Sequence, residues 1–186
     1  MIDIFYYLTK PFIWFLSNIL PVELINRLFW IMPGRLVIDI LRWKGAKIGK
    51  NTKIMPPILF HNFQDKSSKP FQNLAIGDNC FLGRDCFIDL IGKINIEDNV
   101  TLAMGVMLIT HLNVGNSYVK YQYPTVVENI IIRQGAYIGA RATIIAPVEI
   151  GLGSLIGAGS LVLADIPPCS IGVGVPAKKI RNINEK

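Results

Sequence analysis

From Ile96 onward the chain carries an aliphatic residue at every sixth position: Ile96, Leu102, Leu108, then after a gap Val126, Ile132, Ile138, Ile144, Ile150, Ile156 and Val162. Four positions after most of them stands a small or β-branched residue, as at Val100, Val106, Ala136, Ala142, Val148, Ser154 and Ser160. An earlier block, Ile76, Leu82 and Ile88, has the same spacing with Cys80 and Cys86 at the small position, and a two-residue slip near "LIGK" brings it into phase with Ile96. A single helix does not keep a period of six over so long a range. A hexapeptide period is the mark of a parallel β-helix, in which each hexad makes one short strand and one turn and three hexads close a triangular coil. The recurrent aliphatic residue then points inward and stacks on its equivalent one coil away. The pattern predicts an all-β body of roughly five coils over residues 47–166, with "IGKNTKIMPPIL" as a partial first coil, loops at about 60–73 and 114–125, and a C-terminal extension at 167–186. Glycine after the aliphatic residue, as in Ile138-Gly139, Ile150-Gly151 and Ile156-Gly157, suits tight corners.

Residues 1–46 follow a different pattern and predict an amphipathic helical segment near a membrane. In "IDIFYYLTKPFIWFLSNIL" the polar residues Asp3, Lys10 and Ser17 recur every seven positions, which puts them along one side of a helix and leaves Ile4, Phe5, Leu8, Phe12, Phe15 and Ile19 on a wide apolar arc. Asp3 stands where a signal peptide needs basic residues, and Lys10-Pro11 interrupts the apolar run. Pro21 and Pro33-Gly34 restart the chain into two further short helices, one with Glu23, Asn26 and Arg27 on a face and the other with Arg35, Asp39 and Arg42. Composition sharpens this division. Residues 1–53 hold eight Lys/Arg against three acids, the remainder eleven against ten, and Trp14, Trp30 and Trp43 all lie in the early part. Trp and Tyr favour a membrane interface, and Arg27, Arg35, Arg42, Lys44, Lys47, Lys50 and Lys53 can meet anionic head groups. The other readings are a helical cap packed on the main domain or on a sister subunit, and a single membrane span.

Candidate chemistry is sparse. Cys80, Cys86 and Cys169 form no C-x-x-C pair and no Cys/His ligand spacing, so neither a disulfide framework nor a zinc site is expected, and a reducing compartment fits. Of the two histidines, His111 stands at the root of the gap in the hexads, where "VGNSYVKYQYPT" reads as a polar, tyrosine-rich loop thrown out of a coil. A rigid β-helix edge beside a loop is a good place for chemistry, because the scaffold fixes the side chain while the loop shapes the pocket. His61, in "HNFQDKSSKPFQN", has no partner motif and is expected to be a loop residue.

The hexads, the Thr110-His111 step, "IGAGS" at 156–160 and "GVGVPAKKIR" at 172–181 resemble the hexapeptide-repeat, left-handed β-helix acyltransferases. Within these the chain is most similar to the sugar O-acetyltransferases related to maltose and galactoside acetyltransferases and to those that modify bacterial surface polysaccharides. The resemblance covers about residues 47–182 and leaves the helical N-terminus outside. It implies a left-handed β-helix, a homotrimer, acetyl-CoA as donor, and an acceptor site at the junction of two subunits, bordered by the excursion. It also implies that His111 deprotonates the acceptor hydroxyl, a step histidine suits near neutral pH. Tyr137, Gly139, Ala140, Ala158, Lys178, Lys179 and Arg181 are assigned on the same resemblance to the donor: a groove of small residues with exposed amides, and basic side chains for phosphate.

Two departures change the picture. Relatives often carry Thr-Lys where this chain has Leu163-Ala164, which shifts phosphate binding toward the C-terminal cations, and relatives acting on simple galactosides carry an acceptor-side Asn where this chain has Gly83. Asp89, Asn113, Tyr121 and Tyr123 become candidates for a different acceptor. Two histidines also argue against the zinc carbonic anhydrases built on this β-helix, which by resemblance take three, and no metal is expected. The expected activity is transfer of acetyl from acetyl-CoA to a hydroxyl of a surface-polysaccharide precursor, a sugar or lipid-linked glycan. It would take place at the cytoplasmic face of an anionic membrane, with no nucleic-acid partner. N-acetylation of an amino-sugar nucleotide and a non-catalytic scaffold are the alternatives.

Overall fold

The computed structural model describes residues 2–62 and 67–185; residues 63–66 of the earlier excursion lie outside it. The body is a parallel β-helix with three faces. Face A stacks Lys47–Ile48, Leu74–Ile76, Ile94–Ile96, Ile130–Ile132 and Val148–Ile150. Face B stacks Lys53–Ile54, Phe81–Leu82, Thr101–Leu102, Tyr137–Ile138, Leu155–Ile156 and Ser170–Gly174, and face C stacks Ile58–His61, Cys86–Asp89, Met107–Ile109, Thr143–Ile145 and Leu161–Val162. Register follows the hexads. Ile132 pairs with Ile150, Ile138 with Ile156 and Ile144 with Val162, eighteen residues apart in each case. These side chains, and the small residues Cys80, Cys86, Val100, Val106, Ala136, Ala142, Ser154 and Ser160 at the corners, are all buried. Each coil thus buries apolar surface only against its neighbours, which is why the ends need covers.

At the C-terminal end Ser170–Gly174 adds a strand to face B, and Ala177–Asn182 folds back antiparallel on it. Gly172 occupies the inward position above Ile156, and a Cβ there would stand 2.9 Å from Ile166 Cδ1, so the Ile166 side chain fills the space that a larger residue would need. At the other end three helices, α1 (Ile2–Ile19), α2 (Val22–Leu28) and α3 (Gly34–Trp43), cover the first coil. α3 buries Leu36, Val37, Ile38, Ile40 and Leu41 against it, and Phe29 joins Phe60 and Phe71 in an aromatic cluster.

Three expectations need correction. The polar stripe of α1 is turned inward. Lys10 Nζ lies 3.0 Å from Asp39 on α3 and over the Trp43 ring, Tyr6 hydrogen-bonds Asp39, and Ser17 is buried, while Tyr7, Phe12, Trp14, Phe15 and Ile19 are exposed. The side chains of Asp3, Ile4, Phe5 and Leu8 are outside those described. The Asp39 hydrogen bond holds the Lys10 ammonium above its ordinary pKa, so the lysine stays charged at neutral pH. Val126, which keeps the six-residue phase, is not an inward position: Val126–Val127 pairs antiparallel with His111–Leu112, and the coil resumes at Ile130. The first excursion begins after His61, since Phe60 and His61 are both in strand. No helix among the described residues is long and apolar enough to cross a membrane.

Candidate active site

Both excursions leave the β-helix at one edge, where face C turns into face A. The coil ending at Ile145 makes this turn in two residues, Ala146-Pro147, whereas the coils ending at His61 and Ile109 insert residues 62–73 and 110–129. The same edge in the coil between them is Leu90–Lys93, the two-residue slip of the sequence. Gly92 is required there: a Cβ would sit 2.1 Å from the Glu128 carbonyl oxygen as the later excursion returns.

Asp89, at the end of its face C strand, organises the edge. Its Oδ2 accepts hydrogen bonds from the Thr110 amide (2.8 Å), the Thr110 hydroxyl (2.9 Å), the His111 amide (3.1 Å) and His111 Nδ1 (2.6 Å). Burial pushes this carboxyl up, but the bonds from His111, the Thr110 amide and hydroxyl and the Ile91 amide outweigh it and hold it below the usual carboxylate range. It is therefore an anion at neutral pH. With Nδ1–H given to Asp89, the His111 lone pair is on Nε2, the arrangement a general base needs. The side chain of His111 is 23% exposed and that of Asp89 only 1%. The imidazole can reach a substrate and the carboxylate cannot. Asp89, expected among acceptor contacts, is thus a positioning residue for His111.

His61 is the residue that sequence alone misplaces. The strand register sets it beside Asp89, and its ring stacks on that of His111 at 5.4 Å with the planes 3° apart. It also stacks on Phe87, at 6.1 Å. His111, His61 and Phe87 make a three-ring stack up the edge. The ligand atoms of His61, Asp89 and His111 lie within 4.8 Å of one another. Asp89 Oδ2 already takes four hydrogen bonds and the imidazole planes are parallel rather than convergent, so His61 supports the His111 ring by stacking. We predict that His61→Ala lowers kcat about tenfold without changing the KM for acetyl-CoA, and that His61→Phe, which keeps the stack, restores most of it. A Phe variant as impaired as Ala would mean that the ring nitrogens matter instead.

The remaining candidates fall in two places. Asn113, Tyr121 and Tyr123 are exposed on the excursion, where Asn113 Oδ1 accepts from the Gly115 amide at 2.9 Å and Lys120 lies over the Tyr121 ring. Tyr137, Gly139, Ala140 and Ala158 lie at a different edge, where face B turns into face C. Gly139 needs to lack a side chain, since a Cβ would stand 2.5 Å from the Ala158 amide nitrogen. Lys178, Lys179 and Arg181 are on the final strand, which comes against Leu161–Val162 and so prolongs this second edge. The Arg181 guanidinium also hydrogen-bonds the Glu185 carbonyl. Arg141, not picked out from the sequence, is exposed at this edge in the left-handed region, φ 58°, in the column otherwise filled by Asp85, Gly105 and Gly159. A bulky residue held there is an unusual backbone state of the kind that clusters at functional sites. Within one chain the His111 edge and the glycine edge are separated by the width of face C, about four residues or ~13 Å.

The coil geometry and the histidine edge define a class, the hexapeptide-repeat acyltransferases. The family model for the hexapeptide repeat of succinyl-transferase matches residues 73–109 and 129–164. The galactoside O-acetyltransferase of Escherichia coli is 32% identical over 153 residues, 80% of this chain and 69% of that protein. Among solved structures, a maltose O-acetyltransferase from Clostridium difficile 630 superposes with a TM-score of 0.74 at 28% identity, covering 88% of this chain and 84% of its own. A galactoside acetyltransferase in complex with coenzyme A gives 0.74 at 25% identity, covering 95% and 83%. The chain belongs to the hexapeptide-repeat, left-handed β-helix acyltransferases, and is an acyltransferase.

Proposed function

We propose that this protein transfers acetyl from acetyl-CoA to a sugar hydroxyl of a surface-polysaccharide precursor. The observation that carries the reading is the Asp89–His111 pair, with Nε2 as the free base of a partly exposed imidazole at the root of a loop. His111 takes the hydroxyl proton as the oxygen attacks the thioester carbonyl. The tetrahedral oxyanion needs N–H donors, which backbone amides at a β-helix corner supply, and its collapse breaks the C–S bond. The proton held on Nε2 then passes to the departing thiolate, so no covalent enzyme intermediate is required. Release of free CoA thiol, followed with a panel of glycosides offering hydroxyls or amines, tests the reading; release only with amine acceptors would replace it by N-acetylation.

The donor is assigned to the glycine edge, with Tyr137, Gly139, Ala140 and Ala158 along the pantetheine arm and Lys178, Lys179, Arg181 and Arg141 available to phosphate. Because that edge is ~13 Å from His111 in the same chain, a complete site is best formed when a second copy brings its glycine edge to the histidine edge of the first. A closed trimer satisfies this three times over.

The exposed Tyr7, Phe12, Trp14, Phe15 and Ile19 of α1 support an interfacial role for the N-terminal helices, on the inner face of the cell membrane. Since α3 covers the first coil, the test is by substitution rather than deletion. The protein should float with anionic vesicles, and Phe12→Glu with Phe15→Glu should stay at the bottom of the gradient. Flotation of neither protein would reduce the helices to a structural cap.

A further inference from the structure

Below the three-ring stack the outer side of face C continues into a trench that the mechanism does not use. One part, about 250 Å³, is lined by Trp30, Pro57, Leu59, Asp85 and Phe87, and adjoins a second of about 430 Å³ lined by Glu23, Asn26, Arg27, Trp30 and Leu59. Phe87 is the ring that stacks on His61, which in turn stacks on His111, so the trench starts one ring away from the reacting histidine and runs toward α2.

Its lining is unusual for a surface groove. Trp30 stands 59% exposed between the two parts. Asn26 is 1% exposed; its Nδ2 donates to Asn62 Oδ1 at 3.1 Å, but its own Oδ1 has no hydrogen-bond partner, the one such buried side-chain atom among the described residues. A buried acceptor left unpaired is destabilising, so an orphan oxygen on a residue of the trench wall points to a donor supplied from outside the chain. Glu23 and Arg27, both exposed, add an acceptor and a set of donors at the rim.

A flat aromatic face flanked by an amide, a carboxylate and a guanidinium is the chemistry that recognises a pyranose: C–H groups on one face of the sugar pack on the ring while the equatorial hydroxyls meet the polar groups. A hydrocarbon chain would leave Asn26 Oδ1 unsatisfied. We infer that the Trp30 trench is a second acceptor subsite, binding a further sugar residue of an oligosaccharide whose acetylated residue lies at His111. The substrate is thereby a chain of sugars rather than a monosaccharide, an inference that rests on the acetyltransferase reading for the first residue only.

The test uses the full-length chain with Trp14→Phe and Trp43→Phe, leaving Trp30 as the sole tryptophan. Malto-, galacto- and N-acetylglucosamine oligomers from one to four units are titrated while Trp30 emission is followed, and acetyl transfer from acetyl-CoA is measured in parallel. One series should shift the emission saturably with chains of two or more units but not with its monomer. For that series the tetramer should exceed the monomer in kcat/KM by at least tenfold. Trp30→Ala should collapse that ratio about tenfold, and Asn26→Leu should act in the same direction. Emission unmoved by every series, or equal turnover of monomer and tetramer, would overturn the subsite while leaving acetyl transfer intact. Dissociation of the oligomer by Trp30→Ala would also overturn it, by making the trench a contact between copies. Saturable binding at Trp30 with no acetyl transfer would instead remove the catalytic reading and keep the subsite.

Discussion

His111→Ala should lower the rate of acetyl transfer by about two to four orders of magnitude, the usual worth of a positioned general base. The fold should survive, because the ring is partly exposed and the inward residues of its coil, Ile96, Leu102 and Leu108, are untouched. Binding of acetyl-CoA should survive too, since the groove and the cations assigned to the donor do not include His111. The loss therefore belongs in kcat and is read from steady-state kinetics alongside a calorimetric titration with CoA. A variant with near wild-type kcat would mean that another group removes the proton.

Asp89→Asn is expected to have the next largest effect, and on two observables at once. The amide keeps the shape but loses the negative charge, and no single orientation of it can accept from His111 Nδ1, the Thr110 hydroxyl and two backbone amides as the carboxylate does. Leaving one or two of these donors unpaired in a buried site lowers stability by ~1–3 kcal/mol each. The same change frees His111 to take the wrong tautomer, and kcat should fall by at least about a hundredfold, by analogy with triads whose carboxylate is replaced by its amide. The acid limb of stability should change in a defined sense. A carboxylate whose folded pKa is depressed contributes stability that is present above its unfolded pKa and lost as pH falls through the lower folded value. Wild type should accordingly lose stability relative to Asp89→Asn between those two values, narrowing the gap between them. A constant difference in unfolding free energy across that window would show that Asp89 is not held as an anion.

The repeat was legible because each inward residue stacks on a chemically similar one eighteen positions away, as Ile132 does on Ile150. A periodic core leaves a periodic trace. His111 was legible because it stands where that trace breaks. His61 was not, because its contact with His111 crosses two coils, and its place is set by strand register, Leu59 against Phe87 and His61 against Asp89, which excursions of unequal length hide from any count along the chain. Asp89 is visible along the chain as an acid near the site. Nothing there shows the four donors on its Oδ2, which make it a positioning residue rather than an acceptor contact. In α1 the seven-residue spacing identified which residues share a side. It could not say that the shared side meets Asp39, since a lysine with a buried acidic partner is as well placed inward as outward. Val126 kept the hexad phase by coincidence of loop length, and only its antiparallel partner Leu112 shows that it belongs to the excursion.

The central claim is that the Nε2 of His111 activates an oxygen nucleophile. It is tested most directly by offering the enzyme an oligosaccharide that carries both free hydroxyls and one free amine, with isotopically labelled acetyl-CoA, and locating the label by mass spectrometry before and after mild hydroxylamine treatment. The expected product is a hydroxylamine-labile ester on a sugar oxygen, formed by wild type and nearly absent with His111→Ala. A hydroxylamine-stable amide, or an ester formed equally fast by both proteins, would contradict the claim.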